Sequence, residues 1–232
     1  MLRHVWERCC RARKIETTVI ATDDMRIAEA AFAWGAEVAL TSAKHQSGTD
    51  RIAEVAKRSN KFSIIVNVQG DEPLVDPRLL DRFVETLRTN RDVGIVTAAH
   101  LFSDARDALS PHQVKVVIDR AGNALYFSRA PIPASKNAGA SRSLFLRHQG
   151  IYGFRRATLL QFVRSKPTPL ERCESLEQLR ALENGVRVHV LVTKHGSPGV
   201  DTPADADSVA ASLSRGAGTA TKRRRYSRRP RR

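Results

Sequence analysis

Cysteine is scarce and poorly placed for a structural role: the chain has three, with Cys9 next to Cys10 and Cys173 far away. That number and spacing give neither a disulfide framework nor the paired ligands of a zinc site. The thiols read as reduced groups in a cytoplasmic protein. Long apolar runs are missing as well, since none reaches the roughly 20 residues a membrane-spanning helix needs. The N-terminus, MLRHVWERCCRARK, is basic but leads into no apolar segment or small-residue cleavage site, which excludes a secretory signal. There is no internal repeat. There is also no GxSxG elbow, HExxH pair, Walker lysine loop or GxGxxG fingerprint, so hydrolase, zincin, P-loop and dinucleotide readings have no support.

What is present fits one soluble α/β domain. The 232 residues are 41% hydrophobic and 27% charged, enough to bury a core and too apolar for a disordered chain. The net charge of +15 would suggest nucleic acid if it were spread over the fold. It is not. Residues 222 to 232, KRRRYSRRPRR, carry eight Lys or Arg and no acid, leaving +7 for the rest. The composition after about Leu213 predicts a disordered tail, so the expected domain runs over 1–213 and the tail over 214–232.

The body alternates helical and strand patterns. Leu2, Val5, Trp6 and Cys9 recur at helical spacing before TTVIAT at 17 to 22. Asp23 and Asp24 open a helix through Trp34, Gly35 ends it, and AEVAL at 36 to 40 reads as a strand. Helix 50 to 58, strand 63 to 68, a helix capped by Asp76 and Pro77, and strand 93 to 98 follow. This alternation predicts a mostly parallel sheet with ligands at the carboxyl ends of its strands. VKVVID, then Arg120 to Asn123, then ALYFS predicts an antiparallel hairpin insertion, and 134 to 143 reads as a loop. Thr168-Pro169-Leu170-Glu171 is a capping box for a helix to about Glu183, and Thr202-Pro203 starts another.

Candidate chemistry sits at the strand ends. NVQGDEP at 67 to 73 places Gln69, Asp71 and Glu72 in the expected crevice, and one exposed Asp is half of a magnesium site completed by phosphate oxygens. A solvated turn acid explains Asp71 as well. Asp201 follows the strand-like 186 to 192 and precedes the Thr202 cap, so it is either a second metal ligand or a charge favoured by the helix dipole. HQSGTDR at 45 to 51 offers Ser47, Gly48, Thr49 and Arg51, as a base-reading loop or as an ordinary polar turn with an N-cap. His148 and Tyr152 share a face if 147 to 155 is a strand; core residues would do the same. Leu170, Leu176, Leu179 and Leu182 point a helix into the core, and Glu174, Glu177 and Gln178 read mainly as its solvated face. Arg129 either offers a guanidinium to a carboxylate or phosphate, or snorkels to water.

Read in order, HQSGTDR, NVQGDEP, VKVVID, ALYFSRAPIP, RHQGIYGF, PLERCESLEQLRALENG and GVDTP resemble the motif series of 3-deoxy-manno-octulosonate (Kdo) cytidylyltransferases. Seven motifs in register cover the body of the chain. The resemblance implies a nucleotide-diphospho-sugar transferase (Rossmann-like) α/β fold with a mostly parallel sheet and the hairpin insertion. It implies transfer of CMP from CTP to Kdo, with Asp71 and Asp201 holding magnesium. It also implies that Ser47, Gly48 and Arg51 meet cytidine and that Gln69, Arg129, His148, Tyr152, Glu177 and Gln178 line the sugar pocket. A homodimer, a bacterial cytoplasm and a place in lipopolysaccharide synthesis go with it.

Two departures stand out. Family members begin with a strand and an Arg/Ser/Pro/Gly/Lys loop that grips the triphosphate, whereas Met1 and Leu2 already match the following helix. This leads us to expect an upstream natural start and little CTP-dependent pyrophosphate release from the chain as written, the alternative being an inactive remnant. The second is SPHQVKVV at 110 to 117, where the family more often has Asn before Pro. Competing readings are a cytidylyltransferase for another acidic sugar, such as a sialic acid, and nucleic-acid binding through the tail. The tail's only aromatic for stacking is Tyr226.

Overall fold

The computed structural model describes residues 1–104, 106–134, 145–197, 199–200, 205–207 and 209–211. Most of the 134 to 143 loop, the start of the helix expected at Thr202 and the basic tail lie outside the described residues. The first hundred residues alternate helix and strand: α1 (Leu2–Cys9), β1 (Val19–Thr22), α2 (Met25–Ala33), β2 (Glu37–Leu40), α3 (Gly48–Lys57), β3 (Ile64–Asn67), α4 (Pro77–Thr89) and β4 (Ile95–Leu101). Their start signals work through side-chain oxygens that satisfy otherwise orphaned N–H groups. Asp24 accepts from the Arg26 N–H at 2.8 Å, and Asp76 accepts from that of Arg78 at 2.9 Å. Ser47 accepts from the Asp50 N–H at 3.2 Å, which starts α3 two residues earlier than expected. Gly35, at φ +80°, turns the chain out of α2 as only glycine does freely.

β1 and β2 form a two-stranded parallel sheet. The larger sheet adds β5 (Lys115–Ile118), β6 (Ala124–Ser128), β7 (Leu146–Arg155) and β8 (Val188–Thr193), in the order β6-β5-β7-β4-β8 with β3 also on β7. β4 and β8 are parallel. β7 runs antiparallel to both β3 and β4, so β3, β4 and β8 share one direction and the α/β sheet is mixed. The hairpin insertion is β5–β6, turned at Gly122 with φ +82°.

Between Thr97 and Ala98 the register of β4 on β7 jumps: Thr97 faces Tyr152 while Ala98 faces Gln149. Gly150 and Ile151 are therefore extra residues, a bulge in β7. An insertion of two preserves the alternation of faces. His148 and Tyr152 thus stay on one side, and their rings come within 5.5 Å. Four residues along a regular strand would span roughly 13 Å.

Alternation along β4 builds the two halves of the core. Ile95 and Ala99 join Phe127, Tyr152 and Phe154 on one face. Val96 and Ala98 join Phe83, Leu87 and Ile151 against α4 on the other.

The helix expected over 168 to 183 is broken. After α5 (Arg156–Phe162), α6 spans Pro169–Glu174 and α7 spans Gln178–Glu183, with Ser175 between them at φ 51°. The break re-aims the chain so that Leu176 and Leu179 are buried while Leu170 stays exposed, contrary to the continuous apolar face expected. Arg180 fastens the two pieces by reaching Glu171 at 2.8 and 2.5 Å and lying 4.6 Å from the centre of the Phe162 ring.

Candidate active site

The carboxyl end of β3 leads into a turn in which the Glu72 N–H donates to the Gln69 carbonyl at 3.3 Å. Asp71 is partly exposed there. Its carbonyl accepts from the Val200 N–H at 2.9 Å, so the segment leading to Asp201 runs beside Asp71. Asp201 itself lies outside the described residues. Among the described residues no group of three or more His, Cys, Asp or Glu side chains converges to hold a metal.

The 45 to 51 loop packs against the same turn. A Cβ on Gly48 would stand 3.0 Å from Gln69 Nε2 and 3.2 Å from its Oε1, so the absent side chain is what lets loop and turn approach. Ser47 is spent on capping α3, exchanging hydrogen bonds with Asp50. Arg51 is held by Thr41 Oγ1 at 2.7 Å and Asp23 at 2.9 Å. His45 and Arg58 both lie 2.5 Å from Glu54. Hydrogen bonds from the Ser42 N–H, His45 and Arg58 hold the Glu54 carboxyl down to about 2. The loop is thus tied at both ends.

Thr49 joins the loop to the other half of the site. It is 1% exposed and its hydroxyl donates to the Glu177 carboxylate. Glu177 is the residue before α7. Next to it Tyr152 is pushed well above the ordinary tyrosine range, first by burial and then by the Glu177 charge. His148 completes the row, edge-on to Phe127 at 5.0 Å and 2.9 Å from Thr97 Oγ1. Burial pushes its imidazole down to about 3. Gln178, the first residue of α7, is buried.

Arg129 is neither free nor snorkelled. Its guanidinium donates to the carbonyls of Glu174 at 2.8 Å, Pro111 at 3.0 Å and Ser175 at 3.3 Å, which staples the end of β6 to the α6–α7 turn. Glu174, expected on a solvated face, accepts from Ser128 Oγ at 2.6 Å and the Arg129 N–H at 2.9 Å. Lys115 supports the assembly from below. It is fully buried, with Nζ donating to the carbonyls of Ser110, Gln113 and Arg129 at 2.9, 2.7 and 2.5 Å.

Thus Gly48 meets Gln69, and Thr49 links to Glu177, Tyr152 and His148, with Arg129 at the turn before Glu177. Asp71 lies on the Gln69 side. Sequence reasoning missed Thr97, Lys115 and the role of Glu174. For Thr97 and Lys115 the signal was a lone polar residue in an otherwise apolar strand pattern; Glu174, at the end of α6, had none.

Residues of β1 and β3 line a cavity of about 510 Å³ together with Trp6, Leu80, Gly48, Arg51 and Gln69. Among the described residues β1 pairs only with β2, and β3 only with β7.

The model of the cytidylyltransferase family matches residues 1–188. A Geobacter metallireducens protein named 3-deoxy-manno-octulosonate cytidylyltransferase is 47% identical over 224 residues, 93% of this chain and 88% of its own length. A Solibacter usitatus protein of the same name is 49% identical, with coverages of 90% and 82%. This chain belongs to the 3-deoxy-manno-octulosonate cytidylyltransferase family. Within it, a solved structure described as CMP:2-keto-3-deoxy-manno-octonic acid synthetase complexed with CTP superposes with a TM-score of 0.87 at 36% identity, covering 93% of this chain and 88% of that one. A 4-diphosphocytidyl-2C-methyl-D-erythritol synthase from Anaerococcus prevotii, at 14% identity and a TM-score of 0.63, shares the fold alone. The motif series read from the sequence is therefore that of a cytidylyltransferase, and the α/β architecture is the one it implied.

Proposed function

We propose that this chain transfers CMP from CTP to Kdo, releasing pyrophosphate. The observation that carries the reading is the continuous row from Gly48 and Gln69 through Thr49 and Glu177 to Tyr152 and His148, at the end of a sheet shared with CMP-Kdo synthetases. In the reaction the anomeric hydroxyl oxygen of Kdo forms a bond to the α-phosphorus as the bond to the pyrophosphate oxygen breaks. The leaving group takes the electron pair and the hydroxyl proton passes to solvent. In our reading the Ser47–Gly48 loop and Arg51 meet cytidine, and Gln69, Arg129, His148, Tyr152, Glu177 and Gln178 enclose the sugar. Arg129's three backbone bonds make it a rigid wall that keeps two N–H groups for a carboxylate of the sugar.

The donor set suits magnesium, because Asp71 is a hard, partly exposed oxygen ligand and its carbonyl accepts from the N–H of Val200, the residue before Asp201 in sequence. Asp71 and Asp201 would hold the ion. Bound there, magnesium supplies charge neutralisation at the α-phosphate. Homodimerisation, a bacterial cytoplasmic setting and supply of lipopolysaccharide synthesis belong to the same proposal and rest on family membership.

The test incubates the chain with magnesium and α-³²P-labelled CTP, with and without Kdo or N-acetylneuraminate, and follows labelled nucleotide-sugar. Substrate dependence decides. Label in CMP-Kdo only when Kdo is present supports the proposal. Transfer to the sialic acid instead, or none that depends on Kdo, overturns it.

A further inference from the structure

The β7 bulge turns two carbonyls, those of Gln149 and Ile151, onto the Thr97 hydroxyl at 3.1 and 2.9 Å. His148 Nε2 stands 2.9 Å from the same oxygen. A threonine hydroxyl has one proton, and a carbonyl oxygen only accepts. If Thr97 gave its proton to Nε2, both carbonyls would face an oxygen lone pair with no hydrogen between. If Thr97 donates to a carbonyl, its own oxygen is free to accept Nε2–H, and two hydrogen bonds form instead of one. Thr97 is fully buried, so water does not repair the poorer arrangement, and the second prevails. With the neutral ring's single proton on Nε2, Nδ1 carries a lone pair.

We infer that Thr97 is a positioning residue that locks His148 as the Nε2–H tautomer, leaving Nδ1 as a hydrogen-bond acceptor for a hydroxyl of the sugar. The choice of sugar rests on the proposed function, whereas the tautomer does not. Phe127 and Tyr152 fix the ring between them, so the acceptor has a set direction. A ligand with a hydroxyl at that point gains a bond, while one presenting a carboxylate or ether oxygen there meets a lone pair. The sequence resemblance puts His148 in the sugar pocket without saying which ring nitrogen accepts; Thr97 assigns it.

The experiment uses the full chain labelled with ¹⁵N-histidine, with the His148 signals assigned by their loss in His148→Gln. Wild type is expected to show a protonated, pyrrole-type Nε2 and a pyridine-type Nδ1. A protonated Nδ1 or a mixture overturns the inference without any variant. Thr97→Ser is expected to keep the tautomer, and Thr97→Val to release it into a mixture. A pure Nε2–H tautomer in folded Thr97→Val removes the positioning role, and if that variant does not fold, Thr97→Ala is read the same way. Kdo is expected to move the Nδ1 shift, and its KM to rise about tenfold in Thr97→Val with that of CTP unchanged, the size of one lost hydrogen bond. Kdo turnover with an unmoved Nδ1 shift overturns the acceptor assignment. Absence of Kdo turnover with the expected tautomer sinks the proposed function and leaves the Thr97 lock standing.

Discussion

Thr49 is the side chain through which the two halves of the site touch. It is buried in the first turn of α3, and its hydroxyl reaches Glu177 across 128 residues of chain. A hydrogen bond to a charged acceptor contributes about 1.5–3 kcal/mol, and the cost of losing it falls on the carboxylate left behind. Thr49→Val keeps the volume and deletes the donor. If Glu177 faces the sugar, this variant raises the KM for Kdo by roughly tenfold or more and leaves that for CTP within about twofold, while Thr49→Ser restores it. Steady-state kinetics on the two variants measure this, and equal effects on both substrates would mean that Thr49 only supports the loop. The threonine was visible in HQSGTDR as a hydroxyl near a cap. Its partner was not, because no local pattern relates residue 49 to residue 177.

At the scale of elements, the two-residue bulge in β7 and the break at Ser175 do most to bring the proposed sugar-pocket residues together. The first draws His148 and Tyr152 together, and the second re-aims Glu177 and Gln178 from what the capping box and the leucine spacing presented as one helix. Behind the bulge, β7 lies close to α4. A Cβ on Gly153 would stand 2.8 Å from Val96 Cγ1 and 3.3 Å from both Leu87 and Phe83. All four positions lie in the tightly packed α4 face, where overpacking costs about 1–3 kcal/mol. Gly153→Ala therefore lowers the melting temperature by several degrees, about 2–4 °C per kcal/mol for a chain of this size. Calorimetry checks this, and an unchanged melt would show that α4 yields freely. The Glu171–Arg180 pair, both partners nearly buried, explains why α6 and α7 stay docked although neither is long enough to be stable alone.

For the whole molecule, acid sensitivity follows from histidines buried as neutral rings. Burial holds His148 at about 3, and burial is also the main cause of the lowered values of His100 and His189. The unfolded chain takes up these protons from the ordinary value of 6.5 downward and the folded one refuses them. Stability is therefore full above pH 6.5 and falls as pH drops toward the folded values. The slope is at most about 1.4 kcal/mol per pH unit for each such ring. His148→Gln is expected to flatten the fall between pH 6.5 and 4, as read by urea unfolding across that range. An unaltered slope would place the sensitivity elsewhere. The sequence by itself determined the order of helices and strands over the first hundred residues, their caps, the hairpin and family membership, because periodicity, cap chemistry and motif order are local properties written along the chain. Only the tertiary structure decided the mixed sheet with β7 against its neighbours, the split of the 168 to 183 helix, the stapling of Arg129 and the Thr97–His148 contact. Each depends on groups distant in sequence competing for the same donors and the same space, and short-range pattern carries no record of that competition.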